Sequence, residues 1–126
     1  MSTTNTKKKL WYLTHSPKID YVSELYQPIK SSALWDGNEI VLPYDTQDTP
    51  INSYKVIDSA DLILAEVSYS STGQGIELGW AHAKGKPIWC FYKAGSKPSR
   101  SLKFVAEEIY EYQEISQVLA VLQKKS

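Results

Sequence analysis

From Ser68 to Gly79 the chain reads Ser-Tyr-Ser-Ser-Thr-Gly-Gln-Gly-Ile-Glu-Leu-Gly, and most of its chemistry is concentrated there. Ser68, Ser70, Ser71 and Thr72 offer hydroxyl donors. Gly73 and Gly75 allow backbone conformations and a close ligand approach that a side chain would block. A helix is expected to begin near Gly75, and the exposed amides of a helix start suit an anion such as a phosphate. That start sets Glu77 in the first turn, where a carboxylate is either a dipole-stabilising residue worth roughly 0.3–1 kcal/mol or a working group. The run Gly73-x-Gly75 followed by Gly79 approximates a dinucleotide-binding turn but departs from it. It follows the third expected strand rather than the first, its last glycine comes one residue late, and Glu77 would set negative charge beside a pyrophosphate.

The other reactive side chains are sparse. Cys90 stands alone in the apolar run Pro87 to Tyr92 with no histidine near it in sequence, so it reads as a small buried hydrophobe. His82 lies on a helix with Trp80 and reads as a surface or interface residue, while Gly79 and Ala83 are expected to bring that helix close to a sheet. Fourteen basic and fourteen acidic side chains cancel, which leaves no excess positive charge for a nucleic acid and favours self-association over repulsion. A single cysteine fits the reducing cytoplasm. No apolar stretch of membrane or signal-peptide length follows the polar start, so neither a membrane association nor export is expected.

The elements that must carry these groups can be read from periodicity. At 126 residues the chain is expected to form one domain with frayed residues 1–7 and a short basic tail. Lys9–Leu13 reads as a buried strand, Thr14–Lys18 as a turn and Ile19–Leu34 as a helix interrupted by Pro28. Glu39–Leu42 reads as a second strand, Pro43–Pro50 as a polar loop, Asn52–Ser59 as a short helix and Asp61–Val67 as a third strand. The helix from Gly75 stops at Gly85, and Ile88–Tyr92 is the fourth strand. Leu102–Glu108 (helix), Ile109–Glu111 (edge strand) and Glu114–Gln123 (helix) complete the chain. Apolar strands alternating with amphipathic helices predict a three-layer α/β sandwich, Rossmann-like or flavodoxin-like, with a mainly parallel five-stranded sheet and ligands beyond the strand C-termini.

The segments Ala60-Asp61-Leu62-Ile63-Leu64-Ala65-Glu66-Val67-Ser68, Gly73-Gln74-Gly75-Ile76-Glu77-Leu78-Gly79 and Gly85-Lys86-Pro87-Ile88 resemble the nucleoside 2-deoxyribosyltransferase-like superfamily, most of all its 2′-deoxynucleoside 5′-monophosphate N-hydrolases. The resemblance implies cleavage of an N-glycosidic bond by hydrolysis or transfer to another base, with Glu77 as nucleophile on the anomeric carbon and no cofactor or metal. It implies that Ser71 and Gly73, with Gly75 of the same motif, meet a 5′-phosphate. It also implies a homodimer in which a second serine, at Ser101, reaches the neighbour's phosphate, and a nucleoside or nucleoside 5′-monophosphate as the substrate.

Some positions depart from the pattern. The helical aspartate that assists the leaving base is Ser53 here, a hydroxyl with too high a pKa for a general acid. Asp45 and Asp48 are the candidate substitutes. The first-strand tyrosine falls at Trp11 or, with a one-residue slip that reverses its facing, at Tyr12. Thr14 and His15 replace the following Gly-Ser turn and are candidates for contact with phosphate or base. The alternative expectation is a nucleotide-binding or regulatory module with weakened catalysis.

Overall fold

In the computed structural model, which describes residues 8–45 and 51–125, five parallel strands form one sheet in the order β2-β1-β3-β4-β5. The strands are β1 Leu10–His15, β2 Glu39–Val41, β3 Leu62–Glu66, β4 Ile88–Lys93 and β5 Glu108–Tyr112. The helices are α1 Gln27–Lys30, α2 Ala33–Gly37, α3 Ser53–Ser59, α4 Thr72–Ala83 and α5 Ile115–Lys125. Helices cover both faces, because central strands such as β3, buried at every residue, carry apolar side chains in both directions. One core packs Trp11, Leu13, Leu64 and Phe91 against α1, α2 and α5 residues. The other packs Tyr12, Ile63, Ala65 and Cys90 against Ile57 of α3 and Leu78 and Ala81 of α4. The order is flavodoxin-like, and the direction of winding reverses between β1 and β3.

Local chemistry accounts for the departures from expectation. The helix read over Ile19–Leu34 is broken into a π-helical turn, Val22–Tyr26, followed by α1 and α2. Pro28 has no N–H and its ring would strike the carbonyl four residues back in a regular helix. The chain widens there, so that the Gln27 N–H bonds the Val22 carbonyl, and Pro28 falls in the first turn of α1, where its missing donor costs nothing. The segment read as a Leu102–Glu108 helix is only a 3-10 turn, Arg100–Phe104. Thr14 and His15, expected in a turn, are the last residues of β1, paired with Ala65 and Glu66 of β3.

Cys90 is fully buried, and burial pushes its thiol up to about 12, consistent with a packing role. The turn from α4 into β4 requires Gly85, whose φ of +72° is strained for any L side chain. A Cβ there would meet open space, so Gly85→Ala is expected to cost about 1 kcal/mol from backbone strain alone, read as a fall in the denaturation midpoint.

Candidate active site

The carboxyl ends of β1 and β3 lie side by side at the reversal point, and α4 rises from the loop after β3. Ser71 caps α4 by accepting from the Gln74 N–H at 3.4 Å, and the helix starts at Thr72 rather than Gly75. Glu77 is therefore in the second turn, not the first. The expectation of a carboxylate seated on the helix dipole is corrected, because the serine cap draws Gly73 and Gly75 into the helix despite their poor propensity. Neither glycine has a positive φ. Gly79 does not pack on the sheet and Ala83 is exposed; Ala81, fully buried, makes that contact.

Glu77 is held from β1. Its Oε2 accepts from the Tyr12 hydroxyl at 2.8 Å and its Oε1 from Thr14 Oγ1 at 2.6 Å. Alternation along a strand sends Tyr12 and Thr14 to the same face, and this resolves the register: Tyr12, not Trp11, meets the glutamate, while Trp11 is in the opposite core. Burial first, and the Glu77 charge second, raise the Tyr12 hydroxyl far above its ordinary range. It is a hydrogen-bond donor at neutral pH.

Gln74, one helical turn before Glu77, is buried with its amide donating to the carbonyls of Thr14 at 3.1 Å and Glu66 at 2.8 Å. It fastens the ends of β1 and β3 at the reversal point. Glu66, 1% exposed, accepts from the Ser68 N–H (2.8 Å), Ser68 Oγ (2.7 Å) and the Tyr112 hydroxyl (2.5 Å). Ser68 Oγ in turn accepts from the Lys93 N–H at 2.8 Å. Neither Gln74 nor Glu66 was singled out by sequence. The available signal was a polar residue on the apolar stripe Gln74, Leu78, Ala81, and a carboxylate at the end of the apolar run of β3.

His15 faces the other way and does not touch Glu77. Its Nδ1 donates to the Ser16 carbonyl at 3.0 Å, so Nε2 accepts from the Tyr26 hydroxyl at 2.8 Å. That hydroxyl accepts from the Tyr44 N–H at 3.0 Å. Burial lowers the His15 pKa from its ordinary value, partly offset by the Ser16 carbonyl and the Glu77 charge. Tyr21, Tyr26 and Tyr44 surround the ring. A histidine that is harder to protonate when folded stabilises the fold fully above its unfolded pKa of about 6.5, and that contribution is lost as pH falls through and below 6.5. The urea midpoint should drop between pH 7.5 and 5.5, and His15→Gln should flatten that part of the profile.

The remaining candidates divide. Ser71, Gly75 and Ser101 line one cleft of about 530 Å³ with Ser70, Thr72 and Ser99, between α4 and the 3-10 turn. Ser71 and Ser101 thus line the same cleft within a single chain. No Lys or Arg is in that lining. Gly73, also in the first turn of α4, is exposed and outside it. Glu77 is not in that lining and is bonded to β1. Asp45 Oδ1 accepts from Lys30 Nζ at 2.6 Å, and no described bond joins it to Glu77. Asp48 lies outside the described residues. Ser53 is the first residue of α3. No group of metal-ligating side chains occurs among the described residues, and none of their helices is long and apolar enough to cross a membrane.

No protein-family model matches the chain. The CMP N-glycosidase BcmB of Clostridium botulinum superposes with a TM-score of 0.65, at 24% identity, covering 91% of this chain and 99% of that one. This chain shares the fold of a nucleotide N-glycosidase. A conserved protein from Enterococcus faecalis V583 also superposes, with a TM-score of 0.62 at 14% identity, over 95% of this chain and 100% of that one. In sequence, the chain is 48% identical over 40 residues to the 5-hydroxymethyl-dUMP N-hydrolase of Rattus norvegicus, a match spanning 32% of this chain and 24% of that protein. The fold expected from the motifs is thus matched along nearly the whole chain, and the sequence similarity covers one segment.

Proposed function

We propose that the protein cleaves the N-glycosidic bond of a nucleotide or nucleoside, with Glu77 as the nucleophile. The observation that carries this reading is the Glu77 carboxylate, held on each oxygen by Tyr12 and Thr14 at the reversal point of the sheet. The names of the BcmB glycosidase and the rat N-hydrolase support the reaction class. A Glu77 oxygen attacks C1′, the C1′–N bond breaks, and its electron pair leaves with the base. Water or a second base then opens the sugar ester. The carboxylate first stabilises the oxocarbenium-like charge and then bonds to it, while the Tyr12 and Thr14 hydroxyls keep it oriented.

The hydroxyls of Ser70, Ser71, Thr72, Ser99 and Ser101 and the first amides of α4 receive the 5′-phosphate. Asp48 and Asp45 are the candidates for help at the leaving base, in place of the aspartate that Ser53 replaces. The protein acts in the cytoplasm as a homodimer, with no nucleic acid or membrane as partner. The test is chromatographic detection of free base after incubating the protein with ribo- and deoxyribonucleosides and their 5′-monophosphates, with and without a second base. Release of base supports the reading, and a preference for monophosphates supports the phosphate assignment. No release from any of them, with ligand-induced thermal stabilisation retained, favours the binding-module alternative suggested by Ser53.

A further inference from the structure

Glu77 stands on α4, but both hydroxyls that hold it come from β1, so the carboxylate stays oriented only while the helix is fixed against that strand. The buried residues of α4 are Gln74, Leu78 and Ala81. Leu78 and Ala81 follow Glu77 and belong to the apolar core. In the turn before it, Gln74 alone is buried, at 6% exposure. It stands between Gly73 and Gly75, and glycine loses more backbone freedom on folding than any other residue type. The Gln74 amide makes the attachment in this turn. Its nitrogen donates to the Thr14 carbonyl at 3.1 Å and to the Glu66 carbonyl at 2.8 Å, so one group joins α4 to the ends of both β1 and β3. A carbonyl only accepts, which fixes the NH2 side of the amide toward the strands. An apolar residue of the same size would fill the space and bond neither carbonyl. Thr14 takes this clamp on its carbonyl and turns its hydroxyl to Glu77 Oε1 at 2.6 Å. Gln74 and Glu77 are three positions apart, a step that makes their side chains neighbours on the helix surface. Gln74 also lines the hydroxyl-lined cleft, so it belongs both to that wall and to the network around the carboxylate.

We propose that Gln74 is a positioning residue for Glu77: its amide holds the start of α4 on the ends of β1 and β3 and thereby seats the carboxylate between the Tyr12 and Thr14 hydroxyls. The inference rests on the reading of Glu77 as the nucleophile and names the group that keeps it in place. Gln74 acts through the Thr14 backbone and through the placement of the helix. A reacting group displaced by about 1 Å loses on the order of 100-fold in rate. The cleft hydroxyls do not depend on the amide for their chemistry, so the loss falls on kcat rather than on KM.

The experiment follows base release from the nucleoside monophosphate that the unmodified protein cleaves fastest. Gln74→Met keeps the length of the side chain and removes both donors; it is expected to lower kcat roughly 100-fold with KM within about 3-fold. Gln74→Asn, whose amide is one methylene too short to reach the strands, should behave alike and stands in if the methionine variant does not fold. Gly85→Ala strains the far end of α4 and should lower Tm with kcat within about 2-fold of the unmodified protein. Thr14→Val should also lower kcat, and combining it with Gln74→Met should cost less than the product of the two single losses, because one acts through the other. A readout independent of turnover is the fluorine NMR resonance of Tyr12 in fluorotyrosine-labelled protein, identified by its absence from Tyr12→Phe. That resonance should shift in Gln74→Met and stay in place in Gly85→Ala. An unchanged kcat in both Gln74 variants, single losses that multiply, or an unmoved Tyr12 resonance overturns the proposal. A shifted Tyr12 resonance with no base release by the unmodified protein would leave the positioning role standing and remove the glycosidase reading. Base release that needs Glu77 but is insensitive to Gln74→Met would do the reverse.

Discussion

Glu77→Gln is expected to reduce base release by at least about 10³-fold, the scale seen when a covalent nucleophile is removed, while leaving nucleotide affinity within a few-fold. The amide is nearly isosteric with the carboxylate. Its oxygen can still accept from one hydroxyl, and its NH2 can donate to the other, because Tyr12 and Thr14 hydroxyls accept as well as donate. Folding should therefore survive, with a change of less than about 1 kcal/mol, so the loss would report chemistry alone. Single-turnover rates and calorimetry on the same preparation separate the two effects. Glu77→Gln protein retaining a tenth or more of the rate would assign the nucleophile elsewhere.

The largest stability effect is expected at Glu66. Glu66→Ala leaves three buried or half-buried donors, the Ser68 N–H, Ser68 Oγ and the Tyr112 hydroxyl, without the acceptor they share. A stranded buried donor costs about 1–3 kcal/mol, and the vacated volume adds to it. Water entering the gap repays part of this, giving roughly 3–5 kcal/mol overall, or a fall in Tm on the order of 10–20 °C for a domain of this size. Tyr112→Phe removes one donor and keeps the ring packed against Phe91; it should cost about 1 kcal/mol. A calorimetric shift for Glu66→Ala no larger than that for Tyr112→Phe would show that the carboxylate does not organise this loop.

The fold was legible in the sequence where pattern and period carry the physics. Alternating apolar strands and amphipathic helices specify a parallel sheet covered on both faces, and the strand boundaries fall within a few residues of the expected ones. Errors arise where a single residue overrides the period. Pro28 turns one expected helix into a π-helical turn and two short helices, and the Ser71 cap moves the start of α4 back by one turn.

In the site, Glu77 is identifiable by its motif, and Tyr12 is one of two registers that only strand facing separates. Long-range partners are invisible to such reading. Nothing in the neighbours of Tyr26 indicates that its hydroxyl joins His15 to Tyr44, and nothing near Tyr112 indicates Glu66, 46 positions away. His15 shows the same limit, since its position after Thr14 suggests a phosphate contact, yet alternation along β1 sends it to the opposite face of the sheet.

The most direct test of Glu77 as nucleophile is to trap the sugar ester. A 2-deoxy-2-fluoro nucleoside monophosphate slows both steps by destabilising the oxocarbenium-like transition states, and peptide mass spectrometry then locates the adduct. The account predicts stoichiometric release of base and a fluorosugar mass on Glu77, absent from Glu77→Gln protein. Base release at full rate with no adduct, or an adduct on another residue, would contradict it.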